Sequence, residues 1–247
     1  MRLNRFLASA GLGSRRSCEA LISEGKVTIN GRVCVALATE VAPEDHVKVG
    51  NKLVHVEQPT YVILNKPRGY VTTMSDEFGR RTIEDLLPRN WPRLFHVGRL
   101  DKDSEGLLLL TNDGELAQKL THPKHKIEKE YEVLLDKPYD SELTPKLKKG
   151  IVLEQGRGKI ERLQIVKPNH LRVVLAQGLK RQIRLMFASV GYEVMRLCRT
   201  RIGPIRLGEL PSGSYRLLTD RELRLIHEHL TQKPAIERIR HPDAKVS

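Results

Sequence analysis

Between Arg99 and Glu105, five ionisable side chains fall within seven residues: Arg99, Asp101, Lys102, Asp103 and Glu105. Carboxylates set among cations have environments that can shift proton affinity, which acid–base and nucleophilic chemistry both require. The same pattern suits a salt-bridged surface loop, and spacing alone does not choose between the two. Asp103, Glu105 and Asp113 are read as structural, through turn and capping hydrogen bonds. A second cluster is Asn65-Lys66-Pro67-Arg68-Gly69, a turn directly after an apolar strand. Lys66 and Arg68 there either bind an anion or solvate the turn. Arg181 and Arg184 are three apart and share one face of an expected helix. Tyr131 alternates with Val133 along an expected strand, where a plain core tyrosine is the rival reading.

These groups must be held by regular elements. The first segment, residues 1–57, reads as two small helices on a small sheet. Leu3, Phe6, Leu7 and Ala10 have helical spacing, and Ser14 sits where an N-cap opens a second helix through Cys18, Leu21 and Ile22. Val27 to Ile29 is a strand before the hairpin turn Asn30-Gly31, and further strands are expected at Val47 to Val49 and Leu53 to Val56. A linker is expected near Gln58-Pro59-Thr60. The second segment, residues 60–231, opens with the strand Tyr61 to Leu64. Later strands are expected at Phe95 to Val97, Leu107 to Thr111, Tyr131 to Leu135, Lys159 to Val166, Leu171 to Ala176 and Val194 to Ile202. Helices are expected at Thr82 to Leu87, Glu115 to Leu120, Leu143 to Lys149, Lys180 to Val190 and Asp220 to Leu230. Grouped strands with single helices between them imply an α+β class with a mixed, largely antiparallel sheet flanked by helices. Residues 232–247 are polar and charged, and read as a mobile tail.

Composition narrows the partners. Of 247 residues, 43 are Lys or Arg and 30 are Asp or Glu, a net charge of +13 that points to a polyanion, most often nucleic acid. Six bases and two acids lie between Met1 and Arg32, and seven bases and one acid between Leu179 and Arg206. In the second stretch Arg199 and Arg201 should project on one side of a strand. Aromatic residues are only 4%, so a surface built on base-stacking platforms is disfavoured. Cys18, Cys34 and Cys198 form no CxxC, and His96, His122 and His125 have no metal spacing. Those histidines are read as surface or RNA-contact residues. There is no phosphate loop, no signal peptide and no membrane-length apolar run. No cofactor, metal or membrane is expected, and the chain reads as a cytoplasmic monomer.

The segment RLNRFLASAGLGSRRSCEALISEGKVTINGR resembles the S4 RNA-binding module. GRLDKDSEGLLLLTNDG resembles the catalytic motif of the RsuA family of RNA pseudouridine synthases. LNKPRGYV, KEYEV and GLKRQIRLMF resemble that family's flanking motifs, and the likeness covers about residues 1 to 230. Leu185 departs from it, where many members carry a second arginine. The resemblance implies isomerisation of an RNA uridine, most often ribosomal, with no cofactor. It implies Asp101 as the catalytic carboxylate, nucleophile or base, with Arg184 as its cationic partner and Tyr131 under the base. It implies Arg99 near the flipped nucleotide. Lys66, Arg181 and Arg199, with Arg5, Arg15 and Arg16 of the first segment, are the expected RNA contacts. Two other readings compete: a non-catalytic RNA-binding or ribosome-assembly factor, and a glycoside hydrolase with two carboxylates.

Overall fold

The computed structural model describes residues 1–74 and 76–231. They divide into two compact units. The first contains Met1–Tyr61 with Pro88–Phe95 and Thr111–Gly114, and the second contains Val62–Leu87, His96–Leu110 and the chain from Glu115 onward.

In the first unit, α1 (Leu3–Ser9) and α2 (Arg15–Ser23) pack on the strands β1 (Val27–Ile29), β2 (Arg32–Val33), β3 (Val47–Val49) and β4 (Lys52–Leu53), ordered β2-β1-β3-β4. The Ser14 hydroxyl accepts from the Ser17 N–H at 3.1 Å and caps α2. Asn30 and Gly31 have φ of +51° and +81°, the left-handed pair that a tight hairpin needs. Leu3, Leu7, Cys18 and Ile22 close over Val27, Val41, Val47 and Val54 as a small core. The strand expected over Leu53 to Val56 lies earlier and ends at Leu53. The Gln58–Thr60 stretch is tied down: the Asn112 side chain accepts from the Thr60 N–H at 2.7 Å and donates to the Gln58 carbonyl at 3.0 Å.

The second unit is built on β5 (Tyr61–Lys66), β6 (Phe95–Val97), β7 (Glu105–Thr111), β8 (Lys129–Leu135), β9 (Ile151–Leu153), β10 (Gly156–Gly158), β11 (Arg162–Lys167), β12 (His170–Leu175), β13 (Val194–Ile202), β14 (Ile205–Arg206) and β15 (Tyr215–Leu217). Its helices are α3 (Gly114–Thr121), α4 (Thr144–Lys149), α5 (Gln182–Ala188) and α6 (Asp220–Thr231). The main sheet runs β11-β12-β8-β13-β7-β5-β15, with β14 beside β13 and β6 beside β7. Pairing is antiparallel in β11/β12, β12/β8, β8/β13 and β15/β5, and parallel in β13/β7. The class is α+β with a mixed, largely antiparallel sheet. Ile183, Met186 and Phe187 of α5 sink into a core with Val133, Leu171 and Val173 of the sheet.

Several elements differ from expectation. Thr82 to Leu87 is one 3-10 turn, Ile83–Leu86, because Thr82 and Asp85 close a capping box and Leu87 is already extended. The helix expected over Lys180 to Val190 starts only at Gln182, since Arg181 has φ of +53°. The strand expected from Lys159 begins at Arg162. The β9–β10 hairpin, β14 and β15 were not expected: they are two or three residues long and carry too little periodicity to read. The polar tail expected over residues 232–247 lies outside the described residues.

Candidate active site

The charged loop from Gly98 to Ser104 joins β6 to β7, and its main chain is held by side chains from four places. The Thr72 hydroxyl accepts from the Leu100 N–H at 3.2 Å and donates to the Leu100 carbonyl at 2.7 Å. The Lys66 ammonium, at the inner end of β5, donates to the carbonyls of Pro67, Asp101 and Ser104 at 3.0, 3.2 and 2.7 Å. Arg184 of α5 donates to the carbonyls of Asp103 at 3.0 Å and Val194 at 2.6 Å. Arg199 of β13 donates to the carbonyls of Arg99 at 3.3 Å and Leu107 at 2.7 Å. Basic side chains thus satisfy main-chain oxygens of a loop that has little backbone pairing of its own.

The loop borders a cavity of about 660 Å³ lined by Arg99, Asp101, Lys129, Tyr131, Arg181 and Arg199, with Leu175 and Leu197 among its apolar walls. Asp101 and Tyr131 are half-buried, while Arg99 and Arg181 are exposed. Tyr131 and Arg199 lie directly opposite one another in the β8/β13 register. A half-buried carboxylate, an aromatic ring and N–H donors on one wall can hold a planar polar base and act on the sugar beside it.

Three expectations need correction. Lys66 is fully buried, so it is not a phosphate contact; burial pushes its ammonium down to about 8, against the pull of Asp101. Arg184 does not pair directly with Asp101 among the described residues. Both it and Arg181 converge on Asp103, Arg184 on the carbonyl and Arg181 on the carboxylate at 3.4 Å. Burial lowers the Arg184 guanidinium from its ordinary value, and Asp103 and Asp101 partly offset this through space. Arg199 and Arg201 do not share a side: a bulge between them turns Arg201 to Glu128 and Glu130, at 3.1 and 3.7 Å. Of the first-unit candidates, Arg15 and Arg16 are exposed at the start of α2, and Arg5 is half-buried on α1. Lys129 was missed. Its signal was the two-residue offset from Tyr131, which puts both on one strand face. Among the described residues no group of three His, Cys, Asp or Glu side chains is placed to hold a metal ion. Among them, too, no helix is long and apolar enough to cross a membrane.

Residues 60–189 match the family model described as RNA pseudouridylate synthase, and residues 1–54 match the S4 domain. An RNA pseudouridine synthase of Aquifex aeolicus is 42% identical over 229 residues, covering 90% of this chain and 92% of the relative. The Bacillus subtilis protein named ribosomal large subunit pseudouridine synthase B is 39% identical over 237 residues, covering 92% and 97%. A solved structure described as a pseudouridylate synthase superposes with a TM-score of 0.68 at 32% identity, covering 92% of this chain and 99% of that one. The family matches and the fold therefore define an RNA-modifying isomerase that carries an S4 domain. The chain belongs to the RNA pseudouridylate synthase family.

Proposed function

We propose that this enzyme converts a uridine of ribosomal RNA, in the large subunit as the name of the Bacillus subtilis relative states for that protein, to pseudouridine, and that Asp101 carries the reaction. The observation that carries this reading is the convergence of Asp101, Tyr131 and Arg99 on one cavity in a chain of this family. In the isomerisation the N1–C1′ bond breaks, the base turns, and a C5–C1′ bond forms. The C5 proton leaves and N1 gains one, so no oxidant, reductant or second substrate enters.

The Asp101 carboxylate acts on the sugar side, as nucleophile at C1′ or as base. Its loop is held through main-chain carbonyls, which leaves the carboxylate free to face the substrate. Tyr131 packs under the uracil and is placed to take the C5 proton. Arg99, exposed at the mouth, holds the backbone beside the extruded nucleotide or fills the gap it leaves. Arg181, Arg5, Arg15 and Arg16 add phosphate contacts, which give affinity but not sequence choice. The enzyme acts as a cytoplasmic monomer on this reading.

Pseudouridine mapping in ribosomal RNA from a strain lacking the protein tests the substrate. One large-subunit position should lose its pseudouridine and regain it on complementation. An unchanged ribosomal map would overturn the proposed substrate.

A further inference from the structure

Lys129 has no task in the chemistry above. It stands on β8 two residues before Tyr131, on the same strand face, and both side chains line the cavity. Across from Tyr131 in the next strand is Arg199, only 3% exposed. Arg199 uses Nε and Nη1 on the carbonyls of Leu107 and Arg99, but its Nη2 is buried with no hydrogen-bond partner. The Lys129 side chain is half-buried beside it. Burial and the Arg199 charge both oppose its protonated form, pushing it down to about 8, and no carboxylate offsets them. The acids beside it in sequence are engaged elsewhere: Glu128 pairs with Arg162 and Arg201, and Glu130 with Arg201 and Arg206. Two cations with unused N–H donors are therefore held close together in a partly dry wall. That arrangement is unfavourable until an anion joins it.

We propose that Lys129 and Arg199 form a subsite for a phosphodiester flanking the target uridine, next to the place where its uracil stacks on Tyr131. The inference rests on the reading of the cavity given above. Uracil is neutral, so the formal negative charges of the substrate are all on phosphodiesters. The free Nη2 and the ammonium are N–H donors suited to non-bridging phosphate oxygens. Two strand residues separate Lys129 from Tyr131 by about 7 Å, a span comparable with the reach of one nucleotide from base to phosphate. The subsite would fix the extruded nucleotide by its backbone while Tyr131 holds its base.

The test measures equilibrium binding to the full chain carrying Asp101→Asn, so that turnover does not intrude. The probe is a short single-stranded RNA with one central uridine among adenosines, bearing a neutral methylphosphonate on either the 5′ or the 3′ side of that uridine. One of the two should weaken binding by about tenfold, the size of one charged hydrogen bond, and should have no further effect once Lys129→Met is added. Lys129→Arg should restore the sensitivity. Lys129→Met should also lower the salt slope by about 0.7, as one lost contact to a single strand does. Lys129→Met removes a half-buried, repelled charge, so its Tm should not fall below that of the parent. A methylphosphonate penalty equal in parent and Lys129→Met, or an unchanged salt slope, overturns the subsite. The two readings fail separately. Isomerisation by the otherwise unaltered chain without this coupling sinks the subsite alone. Coupling without isomerisation sinks the reading of the reaction and leaves a nucleotide phosphate site.

Discussion

Lys66 satisfies three main-chain carbonyls with one ammonium, two of them in the loop that carries Asp101. Replacing it with Met would leave the buried Ser104 carbonyl and the partly buried Pro67 and Asp101 carbonyls without this donor, at about 1–3 kcal/mol for each buried unmade bond, partly relieved by relaxation. Lys66→Met should therefore lower stability by about 2–4 kcal/mol, and should lower kcat more than it weakens RNA binding; thermal melts and single-turnover rates check both. Lys129 makes a prediction of opposite sign. Its folded value of about 8 lies below the 10.5 of a free lysine, so the unfolded chain holds the proton more tightly. Folding stability from this group rises as pH climbs from about 8 to 10.5 and is lost on the way down. Lys129→Met should melt above the wild type below pH 8, with the gap closing by pH 10.5. A gap that stays constant across that window would contradict the assignment. The two lysines also show where sequence reading stopped. Asp101 and Tyr131 stand in long, specific motifs. The turn signal of Pro67-Arg68-Gly69 places Lys66 in a loop, yet β5 runs on to Lys66 and its alternation turns that side chain inward with Leu64. Lys129 opens the KEYEV motif but takes its meaning from Arg199, seventy residues away in sequence.

At the scale of elements, the close approach of β7 to β13 sets the site. Gly106 has φ of +102°, and a Cβ there would lie 2.3 Å from the Arg199 carbonyl oxygen and 2.7 Å from its nitrogen. The parallel pairing of Arg199 with Gly106 thus needs glycine. Gly106→Ala should destabilise the protein by about 2–4 kcal/mol through strain and overpacking, and should reduce activity because Arg199 carries the Arg99 carbonyl. Denaturant melts against the wild type check it; a change below about 0.5 kcal/mol would contradict the close approach. The long elements were legible, since α2, β7, β8 and β13 have strong periodicity or a cap. The turn of β13 at its bulge was not, because one inserted residue reverses which arginine faces the cavity and leaves no mark in the local pattern. The parallel β13/β7 pair was equally hidden, as it joins residues far apart in the chain.

For the whole molecule, the positive excess has two uses. Part of it meets solvent, as at Arg15, Arg16 and Arg99, and suits phosphate. Another part is turned inward onto main-chain carbonyls, as at Lys66, Arg184 and Arg199, or spent on Glu128 and Glu130, as at Arg201. Net charge alone overstates the RNA-facing surface. Arg15→Glu with Arg16→Glu should weaken RNA binding by tenfold or more and lower the salt slope by about 1.8 on duplex RNA segments, taking the duplex value per phosphate, while the Ser14 cap keeps α2 folded. Filter binding across salt concentrations measures both, and equal slopes would remove these residues from the interface. On the proposed reading one carboxylate, Asp101, in a loop braced by inward-turned cations, isomerises uridine. That reading is tested by incubating purified wild type and Asp101→Asn with unmodified large-subunit ribosomal RNA and quantifying pseudouridine. The wild type should form it at one position, and Asp101→Asn should fall at least a thousandfold while binding the RNA within about twofold. Pseudouridine formation by Asp101→Asn at the wild-type rate would contradict the account.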